Sequence, residues 1–279
     1  MSLPRRRMYG RTKPAFKGAM SLDQPQSFVK HQSITRDAFL GGRLTLSQPS
    51  HGFRAGLDSV LLGAAVGQGR KNLLDLGCGV GTAGFVAMHY GRILNATLVD
   101  QNAEIVDLAR TNATDNGFAE RATVLVADIT ARGAERQAAG LVENGYDVVI
   151  ANPPFFADGA GTLAVDRGRA DARHMDAAML DLWIKTAASA AAAGGEIIFV
   201  YPSTSLSPLL AGFEQRFGAV TVLPLAPRAE APVSRVLIRG IKGSRAPMTL
   251  LSSRVLHGEG RSFAPEFEAI FRGEARLVW

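Results

Sequence analysis

Asn72-Leu73-Leu74-Asp75-Leu76-Gly77-Cys78-Gly79-Val80-Gly81-Thr82 decides how the chain folds. Its first half is a short apolar run, the pattern of a strand buried on both faces. Three glycines follow at alternate positions, and a helix is predicted from Thr82 to about Tyr90. Strand, glycine turn and helix in that order open a parallel α/β sheet. Downstream the alternation continues. Strands are predicted at 96–99 ending in Asp100, at 122–126 ending in Ala127-Asp128, at 146–151 and at 196–200. Helices separate them: one with Ile105, Leu108 and Ala109 on a face, one within 131–143, and one over 175–193 stopped by Gly194-Gly195. After a helix at about 205–217, strands near 219–223 and 233–239 leave no room for a crossover helix between them, so the last is expected to be antiparallel. This is an α/β, Rossmann-like, doubly wound architecture.

Upstream of that stretch, residues 34–40 and 44–48 read as a small hairpin around Gly41-Gly42, and 57–65 as a helix ending near Gly67-Gln68-Gly69. The expected organisation is a leader over 1–33, an N-terminal hairpin and helix over 34–70, and a catalytic domain over 71–279. The chain has 279 residues, 47% of them apolar, enough for one large core. No apolar run reaches membrane-spanning length. The single cysteine, Cys78, rules out an intrachain disulfide and a Cys-based zinc site, and no metal is expected. These features suit a cytoplasmic protein. The net charge of +6 comes from the leader, where Arg5, Arg6, Arg7, Arg11, Lys13 and Lys17 all precede the first acid, Asp23. A basic arm without periodicity reads as flexible, and either helps meet RNA or merely solubilises.

The glycine loop has two readings. Gly79-Val80-Gly81-Thr82-Ala83-Gly84, with Asp100 some twenty residues on, matches the dinucleotide fingerprint. The longer string adds Asp75 directly before the glycines. A pyrophosphate at a helix N-terminus does not call for a carboxylate there. S-adenosylmethionine, which carries a sulfonium and an ammonium group and no phosphate, does. Asp75 suits the ammonium, and Gly77, Gly79 and Gly81 allow close backbone approach. Asp100-Gln101 stands at the second strand end, where Asp100 can accept from both ribose hydroxyls. Asp128-Ile129, after the third strand, can bond the adenine amine and cover its face. Each acid could instead cap the segment that follows it. Three acids at three successive strand ends around one loop favour a ligand. Cys78 reads as a small loop residue, with no nearby histidine to activate it.

Asn152-Pro153-Pro154-Phe155 ends the fourth strand. Two prolines cannot continue a ladder, and each holds the residue before it extended. Beside a methyl donor, the Asn152 side-chain oxygen and the Pro153 carbonyl can each accept one N–H of a planar NH₂ group. That fixes a weakly nucleophilic nitrogen in line with the methyl. Phe155 can stack on the acceptor. Arg167, Arg169, Arg173 and His174 follow, either as phosphate contacts or as a solvated loop with Asp166 and Asp171.

Asp75 to Gly81 followed by Asn152-Pro153-Pro154-Phe155 resembles class I S-adenosylmethionine-dependent methyltransferases that act on amines. Leu46-Ser47-Gln48-Pro49, the stretch Gly52-Phe53-Arg54-Ala55-Gly56-Leu57-Asp58, and Ala172-Arg173-His174 resemble the bacterial tRNA(Val) adenine-N6 methyltransferase family. The resemblance spans about residues 36 to 275. It implies a seven-stranded sheet, methylation of an adenine N6 in a tRNA anticodon loop, and a place for Asp58 near the methionine end of the cofactor. It also makes Arg173 and His174 RNA-contact candidates. A protein glutamine-N5 methyltransferase and a guanine-N2 RNA methyltransferase share the same acceptor chemistry. Oligomeric state has no signature in the chain.

Overall fold

The computed structural model divides the chain into two units, residues 1–31 and 32–279. It describes residues 33–51, 54–91, 93–154 and 169–279, with the side chains of 169–176 outside the description. The basic leader therefore lies outside the described residues. The centre of the second unit is β3 (Asn72–Leu76). Leu73, Leu74 and Leu76 are fully buried, as expected of a parallel strand covered on both faces. It pairs in parallel with β4 (Asn95–Asp100) on one side and β6 (Tyr146–Ala151) on the other. Beyond β4 lies β5 (Ala122–Val126); beyond β6 lies β7 (Ala191–Pro202). The strand order reverses on either side of β3, so a crevice opens at its C-terminal end, where ligands of such sheets bind.

The other half of the sheet closes with β9 (Arg235–Lys242) between β7 and β8 (Phe217–Ala226), antiparallel to both. These seven strands are the expected ones. The sheet holds two more, β10 (Thr249–Leu250) and β11 (Arg254–Val255), paired in parallel with β8. Two residues carry no readable alternation, so the sequence reads this tail only as packing. It covers the edge strand β8.

Alternate side chains along the strands feed two cores. On one face Leu73, Val148, Ile150 and Val200 pack with α1 (Leu57–Ala64), α2 (Thr82–Tyr90), α3 (Ala103–Asp115) and α7 (Pro265–Phe271). On the other, Leu74, Leu76, Val149 and Phe199 pack with α5 (Arg169–Ala190) and α6 (Leu206–Glu214). The hairpin of β1 (Ile34–Phe39) and β2 (Leu44–Pro49) joins the first core through Leu40, Leu44 and Leu46. The short helix α4 (Gly133–Ala138) buries nothing and is shorter than the sequence suggests. Among the described residues, no helix is long and apolar enough to cross a membrane.

The boundary between α5 and β7 differs from expectation. The sequence reads 175–193 as helix because alanine is the best helix former. The helix instead ends at Ala190, and Ala191 already pairs with Tyr146 of β6. Gly194, at φ 73°, sits in the irregularity that follows. The helix end is held from another strand. Lys242 Nζ donates to the Ala188 and Ala191 carbonyls and to Asn144 Oδ1, each at 2.7 Å. A cation on the last carbonyls of a helix satisfies orphan acceptors and complements the dipole. Lys242→Met should therefore cost about 1–3 kcal/mol in denaturant unfolding. An unchanged midpoint would contradict this capping role.

Candidate active site

In the loop after β3, Gly77, Gly79 and Gly81 all have left-handed φ, at 65°, 55° and 90°. Their missing side chains serve different ends. A Cβ on Gly77 would overlap the Trp183 ring of α5, and one on Gly81 would overlap the Phe85 ring and come within 2.9 Å of Leu98. A Cβ on Gly79 would meet nothing within 4 Å. Gly77 and Gly81 are thus bare because the protein packs against them, while Gly79 faces open space. The loop is tied down by its neighbours. Cys78 N–H donates to Val99 O, Gly79 N–H to Asp100 Oδ2 at 3.0 Å, and Asn112 Nδ2 to Val80 O at 3.1 Å. Cys78 is buried, and burial pushes its thiol well above the usual range, as suits a packing residue.

Each of the three strand-end acids makes the local bond its position allows. Gly84 N–H, in the first turn of α2, donates to Asp75 Oδ2 at 2.9 Å, which satisfies one orphan donor of that helix. Asp100 accepts from Gly79 N–H through Oδ2 and from Asn102 N–H through Oδ1, both at 3.0 Å. Asp128 Oδ1 accepts from the Thr130 N–H and hydroxyl. Asp128 and Gln101 are exposed. Ile129 is 5% exposed and packs in the core with Trp183, and its carbonyl accepts from the Thr186 hydroxyl of α5 at 2.7 Å. Capping and ligand binding do not exclude one another, since a carboxylate oxygen accepts more than one bond.

Ala151 lies in register with Leu76, so Asn152 leaves the sheet beside Gly77. Asn152 Oδ1 is buried and, among the described residues, has no hydrogen-bond partner. A buried carbonyl oxygen without a donor is costly unless a ligand supplies one. Pro153 is buried and Pro154 exposed. Phe155 lies outside the described residues. Arg173 and His174 fall in α5, with their side chains outside the description. Asp58, in the first turn of α1, pairs with Arg235 Nε at 2.9 Å. Arg235 opens β9 opposite Pro202, the last residue of β7, which puts the pair at the same sheet edge as the glycine loop. Sequence reading misses Arg235, Thr186 and Asn112, because their partners lie 177, 57 and 32 residues away. Among the described residues no group of three His, Cys, Asp or Glu could hold a metal ion.

A doubly wound sheet with a glycine loop after its central strand is the architecture of Rossmann-like methyltransferases that use S-adenosylmethionine. Comparison with known proteins gives the family. The chain belongs to the methyltransferase small domain family, whose model matches residues 57–226. It is 26% identical to the tRNA1(Val) (adenine(37)-N6)-methyltransferase of Dickeya chrysanthemi over 78% of this chain and 86% of that protein. The enzyme of the same name from Klebsiella pneumoniae is 31% identical over 50% of this chain and 55% of its own. Among solved structures, one described as a predicted O-methyltransferase from Agrobacterium tumefaciens superposes with a TM-score of 0.67 at 28% identity, covering 79% of this chain and 98% of that one.

Asp75 gives the site a pH dependence. Burial, with a smaller push from the Asp100 charge, raises its carboxyl from 3.8 to about 7, against the opposing Gly84 bond. Between those values the folded protein holds a proton that the unfolded chain releases. Stability should therefore fall as pH rises from about 4 to 7 and stay reduced above, by on the order of 4 kcal/mol. Asp75→Asn keeps an acceptor for Gly84 and carries no charge. The ligand-free variant should lose this slope and be more stable than wild type at pH 8. Parallel stability curves for the two proteins would contradict it.

Proposed function

We propose that the protein methylates the N6 amine of an adenine in a tRNA, with S-adenosylmethionine as donor. The observation that carries this reading is Asn152 Oδ1, a buried acceptor with no partner among the described residues, next to the glycine loop. When bound, the donor supplies an electrophilic methyl on sulfur. Around it, Gly79 offers bare backbone, Asp75 a counter-charge for an ammonium group, and Asp58 a second acid near the methionine end. Asp100-Gln101 suits the ribose hydroxyls and Asp128-Ile129 the adenine. Gly77 and Gly81 contribute by shaping the loop.

On the acceptor side, Asn152 Oδ1 and the Pro153 carbonyl take the two N–H groups of a planar amine. This aims the nitrogen and favours the positive charge that grows on it during transfer. The proton is lost after the transfer, so no strong base is needed. Pro154 stiffens the stub, and Phe155 stacks on the base, worth about 1–3 kcal/mol. Arg173 and His174 hold phosphates of the RNA. The basic leader, residues 1–33, adds salt-dependent attraction, ahead of the hairpin and helix of 34–70 and the catalytic domain of 71–279. A tRNA substrate fits a cytoplasmic enzyme. The relatives from Dickeya and Klebsiella, named for adenine-N6 methylation, support the same acceptor. An O-methyltransferase reading, from the name given to the Agrobacterium structure, fits less well. A hydroxyl offers one hydrogen and would leave one of the two proposed acceptors, Asn152 Oδ1 or the Pro153 carbonyl, unused. Guanine N2 and glutamine N5 match the carbonyl pair equally and are separated only by the product.

Two measurements test this. Asn152→Ala should bind S-adenosylhomocysteine like wild type in calorimetry while transfer falls by about a hundredfold or more; lost donor affinity would contradict the acceptor role. A tRNA transcript with adenosine at position 37, the site in the relatives' names, should accept methyl, and the same transcript with guanosine there should not. Equal labelling of both would rule out that site.

A further inference from the structure

Asn112 is fully buried on α3, outside every element expected to touch a ligand. Its side chain makes three hydrogen bonds to two residues. Ser47 N–H donates to Oδ1 at 2.7 Å, and Nδ2 donates to the Ser47 and Val80 carbonyls, each at 3.1 Å. Val80 stands between Gly79 and Gly81, both left-handed. The Val80 carbonyl lies in the Val80–Gly81 peptide, and the glycine on one side of that plane lowers the steric cost of reorienting it, so its direction is imposed from outside. Asn112 imposes it from a site without competing water, where an unmade bond is expensive. One turn later Asn116 grips the hairpin in the same way, with Thr45 N–H donating to Oδ1 at 3.0 Å and Nδ2 donating to Thr45 O at 2.9 Å. The remaining bond of Asn116 goes to the Asn112 carbonyl on its own helix and not to the loop.

We infer that Asn112 is a positioning residue of the donor site, and that through it the β1–β2 hairpin braces the glycine loop. The hairpin then contributes to donor affinity although none of its side chains need touch the donor. This inference rests on the donor reading above, and the test separates the two.

Asn116→Ala is the matched control, since it removes the same kind of hairpin bonds and leaves Val80 held. Wild type is first titrated with S-adenosylhomocysteine; no binding would overturn the donor reading. Both Asn112→Ala and Asn116→Ala should lower Tm. Only Asn112→Ala should weaken S-adenosylhomocysteine binding, by about tenfold, while Asn116→Ala stays within about twofold of wild type. Asn112→Ser, too short to reach Val80, replaces the alanine variant if that one does not fold. Amide exchange at Gly79 to Thr82 in the ligand-free proteins should quicken in the Asn112 variant and not in Asn116→Ala. Equal shifts in both variants, or none in either, in affinity and exchange, would overturn the inference.

Discussion

The parallel pairing of β3 with β6 is the contact on which the site depends. Leu76 and Ala151 are register partners, so the glycine loop and the Asn-Pro-Pro stub leave the sheet side by side. A slip of one residue would turn every side chain of the slipped strand to the opposite face, taking Leu73 out of one core and Leu74 and Leu76 out of the other. The fit of particular side chains in the two cores therefore fixes the register, and the register places the glycine loop beside the Asn-Pro-Pro stub. Neither segment has to search for the other, which is how a rigid scaffold reduces the entropy cost of bringing two reactants together.

The glycine loop stays in place because polar groups outside it hold its backbone. Asp100 takes the Gly79 N–H, Asn112 holds the Val80 carbonyl, Asp75 steadies the start of α2, and Trp183 fills the space above Gly77. The burial of Asp75 has an electrostatic cost. An ionised carboxylate in that position opposes folding, and a nearby cation would relieve that penalty. Stability given up at a site in this way is a common form of preorganisation.

Much of this was legible in the sequence, because the informative features are local. The apolar run of β3, the alternate glycines, the acids at the strand ends and the double proline all lie within a few residues of what they explain. The alternation of strands and helices exposed the doubly wound sheet, and the short link before β9 revealed its antiparallel direction. Other features were not legible. The Ala-rich end of α5 favours helix by propensity, and the pairing of Ala191 with Tyr146 overrides it. Strands β10 and β11 are too short to leave a pattern. Arg235, Thr186 and Asn112 look like ordinary residues of a strand and two helices until folding brings Asp58, Ile129 and Val80 to them. The reading of the acids as caps is met in the fold, where all three accept backbone N–H bonds from nearby residues.

The identity of the methylated atom separates adenine-N6 transfer from the other amine acceptors. The most direct measurement incubates the protein with labelled S-adenosylmethionine and tRNA that lacks the modification, then digests the RNA to nucleosides and separates them. Label recovered in N6-methyladenosine is the predicted result. Label in N2-methylguanosine, or none in RNA with transfer to a protein glutamine instead, would contradict the account.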